Sequence, residues 1–391
     1  MNKKIIIAIL FLVTCLLNGY TQESNRLIIK GIVIDANTAS PLPLANIGVI
    51  GTTLGVASDM DGEFELSLPQ QHGDKTLRFS VMGYARYDVK VIDAANMGEM
   101  KVELKPISIR MNEVTVRAKS LVLIRMLRNV VENISKNYIN RPYNYTGYFE
   151  YKTFTDDVQN MTKEAIVNIY DSKGYKRADV EDAFKSLNYV FTEVKRGGKS
   201  RSVYDNLTYF DDILTADVVR NTRNVLDTAN VDLFTLIDKG KTEYEGDSVQ
   251  IIAYEATNPT ISLSGSAEAT KFSGIIYVNL KDFAVLKNEM TISSSGFTTL
   301  GRDFFSAADA NKENVKYVVS TTYKKLNSTY FLSGVNVSYS YNENSKKQSG
   351  KMQYTTTLIN QDNPKSIIGR MYYEDVRSNP KFWDSYTVTA P

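Results

Sequence analysis

Leu27–Tyr84 reads LIIKGIVIDANTASPLPLANIGVIGTTLGVASDMDGEFELSLPQQHGDKTLRFSVMGY. Leu27 to Ile34 is an aliphatic, β-branched run of the kind that fits a half-buried pleated surface. It closes at Asp35, and DANTASP (35–41) supplies turn chemistry: Asx side chains bond their own backbone and proline fixes φ. Ala45 to Ile50 predicts a second strand, ended by Gly51, Thr52 and Thr53. Val56 to Ser58 leads into Asp59-Met60-Asp61-Gly62, where Gly62 can adopt positive φ without steric cost. Phe64, Leu66 and Leu68 alternate with Glu63, Glu65 and Ser67. Leu77, Phe79 and Val81 alternate with Arg78 and Ser80, and Tyr87, Val89 and Val91 continue the pattern. Such alternation marks strands with one buried face, and turn signals every ten or so residues predict a sandwich.

Order and spacing from Gly31 to Tyr84 resemble the carboxypeptidase-regulatory-like (transthyretin-like) domain. The matching residues begin with Gly31, Val33, Asp35, Pro41, Leu42 and Pro43. Ala45, Asn46, Ile47, Gly51, Thr52 and Gly55 follow, then Ser58, Asp59, Asp61, Gly62 and Phe64, and finally Phe79, Gly83 and Tyr84. The resemblance implies a non-catalytic accessory module. Similar domains precede the plug of many TonB-dependent outer-membrane receptors and sit at the front of many bacterial envelope proteins. It therefore implies location and scaffold, not a reaction. Asp59, Asp61 and Gly62 also mimic the start of a calcium loop. Such a loop needs a glutamate at its twelfth place, which here is Gln70, so a structural turn is expected.

Ahead of this stretch lies a leader. Met1 to Lys4 is a cationic start, Ile5 to Leu17 is an apolar run too short to span a bilayer, and Gly19, Tyr20 and Thr21 precede Gln22. A signal peptide over 1–21 is expected. The sole cysteine, Cys15, lies inside it, and Thr14 is a poor residue to precede a lipidated cysteine. The mature chain then has no thiol and no disulfide, so burial must hold it together. With 43% hydrophobic and 23% charged residues, the 391-residue chain has material for two or three packed domains. Lys plus Arg number 46 against 44 for Asp plus Glu, which gives no electrostatic reason to expect nucleic acid. No later stretch reaches eighteen apolar residues, so no transmembrane helix is expected.

Val102 to Ala118 closes the first unit; Met111, Glu113, Val114, Val116 and Ala118 fit an exit segment found after this module. Ser120 to Tyr138 predicts a helix capped by Ser120, with Ile124, Leu127, Val131, Ile134 and Tyr138 in one stripe and Pro142 barring its continuation. Tyr145 to Phe154 and Ala165 to Tyr170 predict strands. Asp179 to Val194, with Val180, Phe184, Leu187, Phe191 and Val194 at helical spacing, predicts a helix ended by Gly197 and Gly198. Phe210 to Ile237 predicts shorter helical pieces. Beyond Val249 strands dominate. Val249–Tyr254 is followed by a hairpin, Phe272–Val278 and Phe283–Ile292, around Asn279–Asp282. A meander over Val315–Lys325, Tyr330–Tyr341 and Lys351–Ile359 completes the chain. Ser273–Leu286, Tyr330-Phe331-Leu332 and the ending Phe382, Trp383 and Tyr386 resemble envelope proteins that pair the module with a curved antiparallel sheet, similar to the half-barrel of periplasmic lipoprotein carriers.

Enzyme signatures are few. His72 is the one histidine, which removes a two-histidine zinc site, and no G-x-S-x-G elbow occurs. Gly198-Lys199-Ser200 mimics the end of a phosphate-binding loop, but Glu193 stands where that motif needs glycine. Asp211 with Asp212, and Glu181 with Asp182, are adjacent acids that solvated helix faces explain. The 25 tyrosines invite a binding reading, although strand propensity accounts for them more simply.

The expected fold is mainly β: a signal peptide over 1–21, a regulatory-like β-sandwich over 22–118, and a β-rich α+β domain over 119–391 with a large curved antiparallel sheet and helices near 120–138, 179–194 and 210–237. The expected function is non-catalytic binding or assembly by an exported envelope protein, in the periplasm or at the outer-membrane surface of a Gram-negative-type bacterium. Its partner would be an envelope protein, a glycan or a lipid, not nucleic acid, with possible outer-membrane association. No catalytic, metal or cofactor-binding residue is assigned, and no cofactor is expected. An apolar groove on the concave sheet face, at Phe272 to Ile292, is the place expected to hold a ligand. The alternatives are a carboxylate-dependent hydrolase of glycan or peptide and a small outer-membrane barrel over 145–390, against which the expected helices argue.

Overall fold

The computed structural model describes residues 26–52, 54–107, 116–176, 186–199, 210–264, 269–294, 298–299, 302–303, 312–384, 386 and 388. The expected leader with Cys15, the exit-segment residues Met111, Glu113 and Val114, the acids Glu181 and Asp182, and Ser200 lie outside them.

The N-terminal stretch folds as expected into short strands. They are β1 (Arg26–Asp35), β2 (Asn46–Val49), β3 (Gly55–Ala57), β4 (Glu63–Pro69), β5 (Thr76–Ser80), β6 (Tyr87–Lys90) and β7 (Glu99–Leu104). One sheet has the order β4-β1-β7 and the other β3-β2-β5-β6. The alternation read from sequence is kept: Phe64, Leu66, Leu68, Leu77 and Phe79 are buried in one cluster with Ile29, Val33, Ile47 and Val102. Burying such side chains from both sheets is what holds a sandwich closed. Val91 does not extend a strand. It opens a short helix, α1 (Val91–Asn96), in which Val91 and Ala94 are the buried pair. The turn at 59–62 is structural. Asp59 Oδ1 accepts from the amides of Asp61 (3.0 Å) and Glu63 (2.8 Å), and Gly62 takes φ +76°.

Helix α2 (Val116–Asn137) begins four residues before Ser120, so Ser120 is not its cap. It leads to one large curved sheet. The strands are β8 (Tyr143–Thr155), β9 (Val158–Asp171), β10 (Leu187–Gly198), β11 (Thr235–Tyr244), β12 (Asp247–Ala256), β13 (Ala269–Asn279) and β14 (Val285–Ser294). A small ribbon, β15 (Thr298–Thr299) with β16 (Arg302–Asp303), precedes β17 (Lys312–Leu326), β18 (Thr329–Glu343), β19 (Lys346–Asn360) and β20 (Arg370–Met371). The sheet order is β11-β12-β13-β14-β17-β18-β19-β8-β9-β10-β20, antiparallel throughout except for the short parallel pair β10–β20. The hairpin at 279–282 and the 315–359 meander stand where the sequence puts them.

One helical expectation is corrected over its described residues, with 179–185, Val180 and Phe184 among them, lying outside these, and a second is narrowed. Residues 187–194 belong to β10, antiparallel to β9. Leu187, Tyr189 and Phe191 alternate inward, then the register slips between Phe191 and Glu193 and returns Val194 to the buried face. A strand with one bulge thus reproduces the 4-then-3 spacing of a helix stripe. In 210–237 only α3 (Phe210–Thr215) is α-helical; a single 3-10 turn spans Val231–Leu233, and Thr235 already opens β11. The reason is a ladder of Asx turns. The carboxylate or amide oxygens of Asp217, Asn221, Asn224 and Asp227 each accept from the amide two residues on, at Val219, Arg223, Leu226 and Ala229 (2.8–3.1 Å). Each such bond offers the backbone an alternative to the helical ladder.

This segment and α2 fill the concave side of the sheet. Leu123, Leu127, Val130 and Ile134 of α2 join Phe210, Val218, Val219 and Phe234 in one cluster with the inward strand residues. Phe272, Ile276, Met290 and Ile292 are part of that cluster, and Phe234 lies 5.9 Å, ring centre to ring centre, from both Phe272 and Tyr254. The groove expected at Phe272 to Ile292 is therefore occupied by the chain's own side chains. A buried ion pair, Arg220 with Asp171, pins the plugging segment, with the guanidinium 4.9 Å from the Tyr175 ring centre.

Candidate functional site

A cavity lies on the face of the sheet opposite to α2. Along β8, Phe149 and Tyr151 point into the core, so Tyr148, Glu150 and Lys152 share the opposite face. Glu150 sits directly across from Glu164 of β9. The sandwich stands over this face, and about 700 Å³ of space separates the two walls. From the sandwich side come Arg26, Ile28 and Lys30 of β1, Glu63 and Glu65 of β4, and Asp59. From the sheet side come Glu150, Lys152, Glu164, Lys195 and Gln353. Helix α4 (Pro380–Trp383) and the residues after it close one end with Trp383 and Tyr386.

The charges on the sheet wall are paired. Lys152 Nζ lies 2.8 Å from Glu150, and Lys195 Nζ lies 2.8 Å from Glu164. Glu164 also accepts from the Tyr148 hydroxyl at 3.0 Å. Burial pushes the carboxyls of Glu150 and Asp59 above the usual carboxylate range, against the pull of Lys152 on both and of Lys351 on Asp59. Burial likewise pulls Lys351 below the usual ammonium range. The Tyr148 hydroxyl is raised, first by burial and then by Glu150 and Glu164.

The aromatic end is layered. Tyr148 stacks on Tyr386 (6.2 Å, 22° between planes), Tyr386 stacks on Phe382 (5.0 Å), and Trp383 meets Tyr386 edge-on (5.5 Å). Lys195 Nζ lies 5.9 Å from the Trp383 ring centre. The Trp383 indole nitrogen is shielded from solvent and has no hydrogen-bond partner among the described residues. The whole arrangement offers donors, acceptors and ring faces within one cleft, which is binding chemistry.

The residues weighed in the sequence lie elsewhere. His72 sits in the 3-10 turn between β4 and β5, its Nε2 3.4 Å from the Gln71 amide nitrogen. Asp211 is held by Arg370 at 3.0 and 3.1 Å, while Asp212 is buried beside it in α3. Gly198 ends β10 at φ +84°, and Lys199 donates its amide to the Asn160 carbonyl, so no phosphate cradle forms there. Glu150, Glu164 and Tyr148 were missed as site residues. The alternation Tyr148-Phe149-Glu150 is the one signal that could have placed two of them on a common face. Phe382, Trp383 and Tyr386 stood out only as an ending.

Among solved structures the chain is similar to a LolA superfamily protein from Nitrosomonas europaea (9% identical, covering 64% of this chain and 96% of that one, TM-score 0.22) and to a DUF1329 family protein from Desulfovibrio piger (9% identical, covering 62% and 95%, TM-score 0.27). Among curated proteins it is similar to TonB-dependent receptor P3 of Formosa agariphila, 32% identical over 92 residues; the match takes in 23% of this chain and 9% of the receptor's length. Residues 29–116 match the family model described as the CarboxypepD_reg-like domain, and the N-terminal sandwich of this chain is a domain of that kind.

Proposed function

We propose that the protein is a non-catalytic binding protein of the bacterial envelope, exported by its leader, whose ligand sits between the regulatory-like sandwich and the convex face of the large sheet. The cleft of about 700 Å³ with paired charges and an aromatic end carries this reading, since its size is that of a ligand site and its walls are preformed. The module at 29–116 supports an envelope location, because a segment similar to it occurs in a TonB-dependent receptor. The division into a leader, a sandwich and a sheet domain belongs to the same proposal.

The competing reading is a carboxylate-dependent hydrolase, for which Glu150 and Glu164 are the facing pair. Burial raises Glu150, as a general acid needs, but each carboxylate is tied to a lysine 2.8 Å away that favours its charged form, which works against this reading. The test is incubation of the mature protein with isolated envelope material, followed by sedimentation and chromatography of the supernatant. Retention of the protein with no released fragment is expected. Fragments released by the native chain, and lost in Glu150→Gln, would replace binding with hydrolysis.

A further inference from the structure

Resting on that reading of the cleft, we infer that its ligand is an uncharged saccharide chain, stacked against the Trp383–Tyr386 end and hydrogen-bonded along the floor by Glu150, Lys152, Glu164, Lys195 and Gln353.

The lining decides between ligand classes. It holds four cationic and seven acidic residues, which repels a polyanion such as a phosphorylated headgroup. Yet a cation is poorly served at the floor. Lys152 already neutralises Glu150, and Lys195 already neutralises Glu164 and lies 5.9 Å from the Trp383 ring centre, near where a ligand ammonium would sit. Paired charges of this kind present many donors and acceptors at little net charge. Hydroxyl groups, which donate and accept at once, match that lining. An acyl chain needs an apolar wall, and the apolar interior of the curved sheet is filled by α2 and the 216–234 segment.

An extended peptide is disfavoured by topology. Strand addition requires an open edge. β1, β8 and β9 lie inside their sheets and present faces, which leaves only the sandwich's edge strands β3, β4 and β7 for it. Flat rings are what a saccharide needs in addition. Its C–H face packs on an aromatic ring while its hydroxyls point to the sides. The Trp383 indole N–H, shielded from solvent and unpartnered among the described residues, lies at the same end.

Trp383 is the single tryptophan of the chain, so its fluorescence reports on this cleft alone. The experiment titrates the mature full chain with an array of neutral, amino and acidic oligosaccharides, with pentalysine, and with vesicles of phosphatidylglycerol. A saturable spectral shift with neutral oligosaccharides is expected. It should weaken at least tenfold in Tyr386→Ala and in Glu164→Gln, with far-ultraviolet circular dichroism unchanged. Gln353→Glu, which replaces the amide that donates to the Ala57 carbonyl with a carboxylate, should weaken it as well. A response to pentalysine or vesicles without one to saccharides overturns the ligand class and leaves the cleft as a binding site. No response to any probe overturns both. A saccharide response that survives all three substitutions moves the ligand to another surface and overturns the inference.

Discussion

Asp59 does two things with one side chain. Its Oδ1 fixes the turn that launches β4, and its charge faces Lys152 and Lys351 from across the cleft floor. Burial wins this contest and raises its pKa above the usual 3.8. The folded chain therefore holds the Asp59 proton to higher pH than the unfolded chain does. Its contribution to stability is full below about pH 4 and is lost as pH rises through the folded value. Asparagine keeps the accepting oxygen and drops the titration. Asp59→Asn should thus gain stability relative to the native chain between about pH 4 and pH 7. Urea midpoints of both proteins at those two values check this, and a gap that does not change with pH would contradict it. The same turn shows what a single residue reveals in advance. Asp59 and Gly62 were legible because turn chemistry is local. The raised pKa was not, because it depends on a wall some 290 positions further along, where Lys351 pairs with Asp61. The Asx ladder at 217, 221, 224 and 227 was local too, but its 4-3-3 spacing passes for a helix face.

At the scale of elements, long strands with strict alternation were read correctly, and what failed was any element whose period was broken. β10 passed for a helix through a single bulge. The sheet's curvature was expected only from the resemblance to carrier-like envelope proteins, although one of its devices is written in the sequence. Gly274 and Gly350 lie directly opposite Tyr254 and Tyr339, and Gly147 lies beneath the Tyr354 ring on a neighbouring strand. In each case a β-carbon would fall 2.1–2.3 Å from the tyrosine ring or hydroxyl. The rings cover the strand at the glycine and let the sheet bend, so these positions admit no side chain. Gly274→Ala would also press on the Glu289 carbonyl at 2.3 Å. It should destabilise the protein by about 1–3 kcal/mol, the usual penalty for overpacking. Gly197→Ala in β10, where the nearest atom is 3.9 Å away, should cause no loss. Denaturant midpoints of the pair decide the matter: equal midpoints would mean that the tyrosine rings yield, and that the glycines do not shape the sheet.

For the whole molecule the question is what holds the sandwich over the sheet, since the cleft exists only while both walls are in place. The contacts are polar and come from the convex side of β17, β18 and β19. Lys324 Nζ donates to Asn46 Oδ1 (2.8 Å), Asn336 Nδ2 to the Ser58 carbonyl (3.3 Å), Gln353 Nε2 to the Ala57 carbonyl (3.0 Å), and Lys351 pairs with Asp61. Met82 of the sandwich adds an apolar tie, because it is buried with the sheet's core and not with its own. Neither the pairing nor the cleft was readable in the sequence. The partners lie 278 to 296 positions apart, and the outward residues of those strands look like an ordinary wet face. A polar seam of this kind is strong enough to couple two units and weak enough to break selectively. Each such hydrogen bond contributes about 0.5–1.5 kcal/mol. Asn336→Ala combined with Gln353→Ala removes two, so about 1–3 kcal/mol of coupling should be lost. The native chain is expected to melt in one calorimetric transition. The double variant should melt in two, the sandwich first because the smaller unit buries the smaller core. Its Trp383 emission should shift to the red before any melting, as the wall opposite the aromatic end withdraws. A double variant that still melts in one step with unshifted emission would mean that Met82 and its apolar neighbours, and not the polar seam, keep the cleft closed.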